Sequence, residues 1–279
     1  MNILQRTELD RFLTSGSHDN LFKMWTGDTF MGRARNGDTA LRSALISAVT
    51  MLAGQVAAPA HQYSDLDIST RAKFAPMVRG IFPQCEQSII LDMLDRSVVF
   101  LTPATINTVL EKATWLNTAW NLANIYLASL GAKTLTDDAQ AIVGLSEETT
   151  CYVSMKYFSN NNPFEDYVIH EAAHIFHNCK RERIGLPATR RREWLLEIDY
   201  AKRETFAYSC EAYSRILELG ETRSARSRLL SELAEEPMPP DERVDGGEYV
   251  DILREAVFAR NGWKRIFERC SPVKPARRV

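Results

Sequence analysis

The sequence predicts an α+β protein in which helix predominates. Long segments with helical apolar spacing and clear start or stop signals occupy most of the chain. Strand character is confined to short runs at 97–102, 141–146 and 151–159, rich in β-branched and aromatic residues. The resulting order of helices, a few strands and then helices belongs to the α+β class.

With 279 residues, the chain has room for one large domain or a main domain with an appendage. Hydrophobic residues make up 45% and charged residues 25%, which excludes collagen-like, mucin-like and wholly disordered chains. A net charge of -2 excludes polyanion binding by bulk charge. Five scattered cysteines, Cys85, Cys151, Cys179, Cys210 and Cys270, form no C-x-x-C pair, as expected in a reducing compartment. The opening MNILQRTELD carries two acids and no apolar core, so no signal peptide is expected and a cytoplasmic location is. The uncharged stretch 43–60 contains Ser43, Ser47, Thr50, Gly54, Gln55 and Pro59, whereas a span needs roughly 20 strongly apolar residues. It is read as a packed helix, with no membrane partner.

Along the chain, Asp38 is placed to cap a helix running to about Met51, and His61 to Thr70 reads as a loop. After the strand at 97–102, Pro103 opens a predicted helix, and a second runs from Leu116 to Leu130, stopped by Gly131. Trp115, Trp120 and Tyr126 are expected in the core. The runs at 141–146 and 151–159 form an expected strand pair joined at Glu147 and Glu148. Asn160 to Asn162 before Pro163, with Glu165 and Asp166 following, predict a helix from Pro163 to about Arg183. Further helices are expected at 192–219, 223–236 and 249–259, with a linker at 236–241. The domain reading is a helical N-terminal region (1–140), a metal-binding core (141–236), and a linker with a helical tail (237–279).

Residues 170–174, His-Glu-Ala-Ala-His, match H-E-x-x-H. Helical positions four apart differ by about 40° around the axis, so His170 and His174 project from one face, one turn apart. Two imidazoles so placed can bind one zinc ion, which lowers the pKa of its bound water. Glu171 can accept that water's proton as it attacks a carbonyl. The composition predicts about 0.007 chance matches. The competing structural reading is a polar seam between helices. A catalytic site needs a third ligand and an open position. His177, one more turn along, is expected beside the site rather than on the ion. The segment RETFAYSCEA (203–212) offers Glu204 and Glu211, seven apart on one helical face, with Ala207 between them providing a small surface for close approach.

These motifs resemble the zincin metallopeptidases, specifically the gluzincin type, and more loosely the ImmA/IrrE group that cleaves repressors. The resemblance covers about residues 150–215. It implies a zincin-like core with a small sheet packed on the H-E-x-x-H helix, His170, His174 and Glu204 as zinc ligands, and Glu171 as general base. It also implies Glu211 as a support for a ligand histidine. Glu211 remains a rival third ligand, because the separation from His174 exceeds that of thermolysin-like enzymes. Tyr208 and Tyr213 are available near an oxyanion, although buried packing suits both.

Between the motif segments lie Lys180, Arg181, Arg183, Arg190, Arg191, Arg192, Lys202 and Arg203. They read either as solvated termini or as a basic rim for an acidic substrate or nucleic acid, without any sequence-reading DNA motif. The expected function is zinc-dependent hydrolysis of a peptide bond in a protein or peptide substrate. The alternatives are a zinc-stabilised regulatory protein, or a nucleic-acid-associated accessory protein using residues 180–192.

Overall fold

A computed structural model describes residues 2–56, 70–137, 144–159, 162–190 and 192–272. In chain order its elements begin with α1 (Ile3–Ser15), α2 (Phe30–Ala53), α3 (Thr70–Ile81) and α4 (Gln84–Leu94). Strand β1 (Val98–Leu101), α5 (Ile106–Lys112), α6 (Leu116–Ser129), β2 (Gly144–Glu147) and β3 (Thr150–Ser154) follow. The chain then forms α7 (Tyr167–Asn178), α8 (Arg203–Leu219), α9 (Arg223–Glu235), α10 (Gly246–Phe258) and α11 (Gly262–Cys270). Among the described residues the protein is therefore mostly helical, with one small sheet in the order β1-β3-β2.

Two compact units interleave along the chain. The first is drawn from Met1–Leu66, Val99–Leu145 and Ser154–Phe158; the second from Asp67–Val98, Ser146–Val153 and Ser159–Val279. In the first unit, α2 buries Leu41, Leu45 and Val49, spaced four apart, and packs on α6, whose apolar residues are almost all covered. Thr29, not Asp38, caps α2, because its side chain accepts the Gly32 N–H. Asp38 lies inside the helix and pairs with Arg42 at 2.8 Å. Tyr126 is in the core, but Trp115 is 68% exposed, contrary to expectation, since it occupies the N-cap of α6. Residues 43–53 of the uncharged stretch belong to α2, and residues 57–60 lie outside the described residues. No helix among the described residues is long and apolar enough to cross a membrane.

In the second unit, α8 packs against α7, α9, α10 and α11, while α3 packs on α4 and α11. The last contact is close enough to need glycine: a Cβ on Gly80 would sit 2.5 Å from that of Trp263. Gly262 is equally constrained, because a Cβ there would meet the Tyr213 hydroxyl at 2.2 Å. Tyr213 itself packs edge-on against Trp263, with ring centroids 4.9 Å apart.

Several expected boundaries move. Of the strand expected at 141–146, residues 144–146 are in β2, and 141–143 lie outside the described residues, as do 61–69 of the expected loop. The predicted second strand ends at Ser154 and continues as a 3-10 turn over Met155–Ser159. Helix α5 starts three residues beyond Pro103. Helix α7 begins at Tyr167 rather than Pro163, because Asn162 accepts the Phe164 N–H and closes a side-chain turn. It ends at Asn178 rather than Arg183: Cys179 is extended, and the Phe176 and Cys179 carbonyls accept from Leu196 and Leu195. The same pairing holds 192–199 out of helix, so α8 starts at Arg203 rather than Arg192. Helix α11 was not expected; its nine residues begin after the Asn261 cap.

Candidate metal centre

Helix α7 is anchored at its start by Asp166, whose side chain accepts the Ile169 N–H and pairs with Lys73 at 2.7 Å. Val168, Ile169, Ala172, Ala173, Ile175 and Phe176 are all buried, and Phe176 meets Phe82 edge-on at 4.9 Å. Burying a side chain of Phe176's size contributes about 1.5–3 kcal/mol. The small side chains of Ala172, Ala173 and, on α8, Ala207 are fully covered, which allows close helix approach.

His170, His174 and Glu204 form the one group among the described residues with the composition and spacing to hold a metal ion. The Nε2 atoms of His170 and His174 are 3.1 Å apart. Glu204 Oε2 lies 3.7 Å from the first and 3.4 Å from the second. Tetrahedral ligands at 2.0–2.1 Å would be separated by about 3.3–3.4 Å, and a point about 2.0 Å from all three atoms exists. Two nitrogens and one carboxylate oxygen therefore fit a borderline cation such as Zn2+.

The outer atoms of each candidate ligand are also engaged. His170 Nδ1 is 3.0 Å from Glu211 Oε2, and Glu211 Oε1 accepts the Asp166 backbone N–H at 2.6 Å. Glu211 thus faces the other edge of the His170 ring and is not part of the three-atom cluster. His174 Nδ1 is 3.0 Å from His177 Nε2, and His177 Nδ1 is 3.1 Å from Asn178 Oδ1. With His177 donating to Asn178, its Nε2 accepts from His174 Nδ1, and His174 Nε2 keeps a free lone pair. His177 accordingly contacts the far edge of the His174 ring and lies outside the three-atom cluster. At Glu204, a guanidinium nitrogen of Arg243 pairs with Oε1 at 3.1 Å. Arg243 comes from the segment between α9 and α10; a linker sequence carries no periodic signal that could have revealed it.

Burial favours neutral His170, but its contacts with Glu204 and Glu211 outweigh this and hold its pKa up to about 10. Burial would raise the Glu204 pKa, yet the two histidines pull it well below the carboxylate range. His177 is pushed down to about 3, by burial first and then by the proximity of His174 and Arg203. Glu171 is buried, and burial raises its pKa against the opposing attraction of His174 and His170. The polar side chain of Ser146, in β2, also opposes the rise. Tyr208 packs edge-on against His170, with centroids 4.5 Å apart, and burial followed by the Glu211 and Glu204 charges raises its pKa, keeping the phenol neutral. Tyr213 belongs to the Trp263 contact instead.

The basic stretch is largely neutralised by local partners. Arg181 is buried and forms a two-pronged pair with Glu86, at 3.2 and 2.7 Å, which Arg192 joins at 3.4 Å. Lys180 pairs with Glu193, Arg183 with Glu148 and Lys202 with Glu248. The Arg203 guanidinium lies over the Tyr200 ring. Arg191 lies outside the described residues. Cys179 and Cys210 are buried, and burial raises both thiol pKa values.

The class defined by fold and site is a predominantly helical α+β protein with a candidate two-histidine, one-glutamate metal centre between adjacent helices. No protein-family profile, curated protein or solved structure matches this chain.

Proposed function

We propose that this chain is a zinc-dependent metallopeptidase with a zincin-like core, in which His170, His174 and Glu204 hold the ion and Glu171 is the general base. The observation that carries this reading is the triangle of Nε2, Nε2 and Oε2 atoms, with Glu171 between the two histidines on the same helix. Structural zinc sites are closed by four protein ligands, whereas three converge among the described residues, which favours catalysis over a purely structural ion.

Zinc supplies Lewis acidity, polarising a peptide carbonyl and acidifying a water molecule. The chain's own groups do the rest. Glu171 takes the water's proton and returns it to the leaving amine, and burial raises its pKa towards the range suited to proton transfer. Glu211 and the pair His177–Asn178 keep both ligand rings oriented. Tyr208, a neutral donor beside His170, is available to a developing oxyanion.

Elemental analysis of wild type, His174→Ala and Glu204→Ala tests the ligand assignment. One zinc per chain, lost or weakened in both variants, is expected, followed by cleavage of a peptide library. A wild-type protein that takes up no metal after purification with added zinc would overturn the proposal.

A further inference from the structure

Glu204 has two oxygens in different surroundings. Oε2 faces both histidine Nε2 atoms, while Oε1 is taken by a guanidinium nitrogen of Arg243 at 3.1 Å. The same guanidinium is gripped by Asp241 through two contacts, Nε at 2.8 Å and a terminal nitrogen at 2.5 Å. Asp241 also accepts the Arg243 backbone N–H, and its carbonyl accepts that of Val244, closing a tight turn. Asp245 then caps α10 by accepting the Glu248 N–H at 2.7 Å. The guanidinium is therefore presented by a tethered arm, although its side chain is 62% exposed and Glu204 only 15%. An exposed pair of this kind adds little stability by itself, so its consequence lies in what it does to the carboxylate.

A carboxylate can give a cation one oxygen or two, and a second oxygen added to the three protein ligands and the fourth, solvent-accessible position would make the site five-coordinate and crowd the place a substrate carbonyl must take. We propose that Arg243 is a positioning residue that restricts Glu204 to ligation through Oε2 alone, preserving a coordination position for substrate. This rests on the metallopeptidase reading, and it gives the segment between α9 and α10 a role in the site.

Cobalt(II) loaded in place of zinc tests it, because its visible absorption weakens when coordination rises above four. Arg243→Ala is expected to lose much of the wild-type absorption and roughly 10- to 100-fold in kcat/KM on any cleaved peptide. Arg243→Lys keeps a cation to pair with Oε1 and is expected to recover the absorption. Asp241→Asn, which loosens the guanidinium without removing it, should give an intermediate spectrum and covers the case in which Arg243→Ala misfolds. An unchanged spectrum in folded Arg243→Ala overturns the proposal while leaving the metal centre standing. Wild-type protein that binds no cobalt overturns the metallopeptidase reading itself, and the proposal with it.

Discussion

Glu211 meets His170 at Nδ1, 3.0 Å away, whereas Glu204 faces the same ring at Nε2. One imidazole is thus bracketed by two carboxylates from a single helix. Glu211 is further fixed by the Asp166 N–H at the start of α7, so the bracket ties the two motif helices together. Replacing Glu211 with glutamine keeps the shape but removes the charge that favours Nδ1–H and a basic Nε2. Zinc affinity should fall roughly 10- to 100-fold in a chelator competition. Unchanged affinity would show that the contact is only packing.

Glu171→Gln separates chemistry from metal binding. The variant is expected to hold zinc with wild-type stoichiometry and to lose about 100- to 10,000-fold in peptide hydrolysis. Equal cleavage by the two proteins would remove Glu171 from the proton-transfer role.

Metal uptake should depend on pH through His170. Its folded pKa is raised to about 10 from the ordinary 6.5. In the metal-free chain, the charged ring therefore stabilises the fold fully below the unfolded value, and this is lost as pH rises towards the folded one. Zinc must displace that proton, so its affinity should rise about tenfold per pH unit between roughly pH 7 and 9. Isothermal titration across that range reads the slope, and a flat profile would contradict a protonated metal-free site.

The buried ion pair behind the basic stretch makes a prediction about stability. Burial opposes ionisation of Glu86, but Arg181, helped by Arg192, outweighs it and lowers the Glu86 pKa. Its contribution is present above the unfolded carboxylate value and is lost as pH falls through the folded one. Arg181→Ala, which strands a buried carboxylate, should cost about 3–5 kcal/mol. Arg192→Ala, at a half-exposed partner, should cost no more than about 1 kcal/mol. Denaturant melts at neutral and acid pH measure both; similar losses for the two variants would refute this division.

The legible features were those written into neighbouring residues. H-E-x-x-H places two imidazoles on one face wherever it is helical, because four residues make slightly more than one turn. Segments such as 116–130 and 223–236 also declared themselves by local spacing and caps, and appear as α6 and α9. The start of α7 misled because Asn162 and Pro163 form a good local helix signal, yet Asn162 spends its side chain on a turn and Asp166 takes the cap. The overlong ends at 179–183 and 192–202 misled because bonds between residues 176–181 and 193–196 draw the chain out of α-helix.

The amino-acid order by itself determined a helix-rich α+β chain and a pair of histidines able to share an ion, since both depend on contacts within a few residues. The tertiary structure decided which carboxylate faces them. Glu204 and Glu211 share a helical face and cannot be ranked by periodicity. A rise of about 1.5 Å per residue separates them by about 10 Å along α8, so packing alone sends one to Nε2 and the other to Nδ1. The same holds for Arg243, which reaches Glu204 across 39 positions of sequence because α8, α9 and α10 fold back on one another.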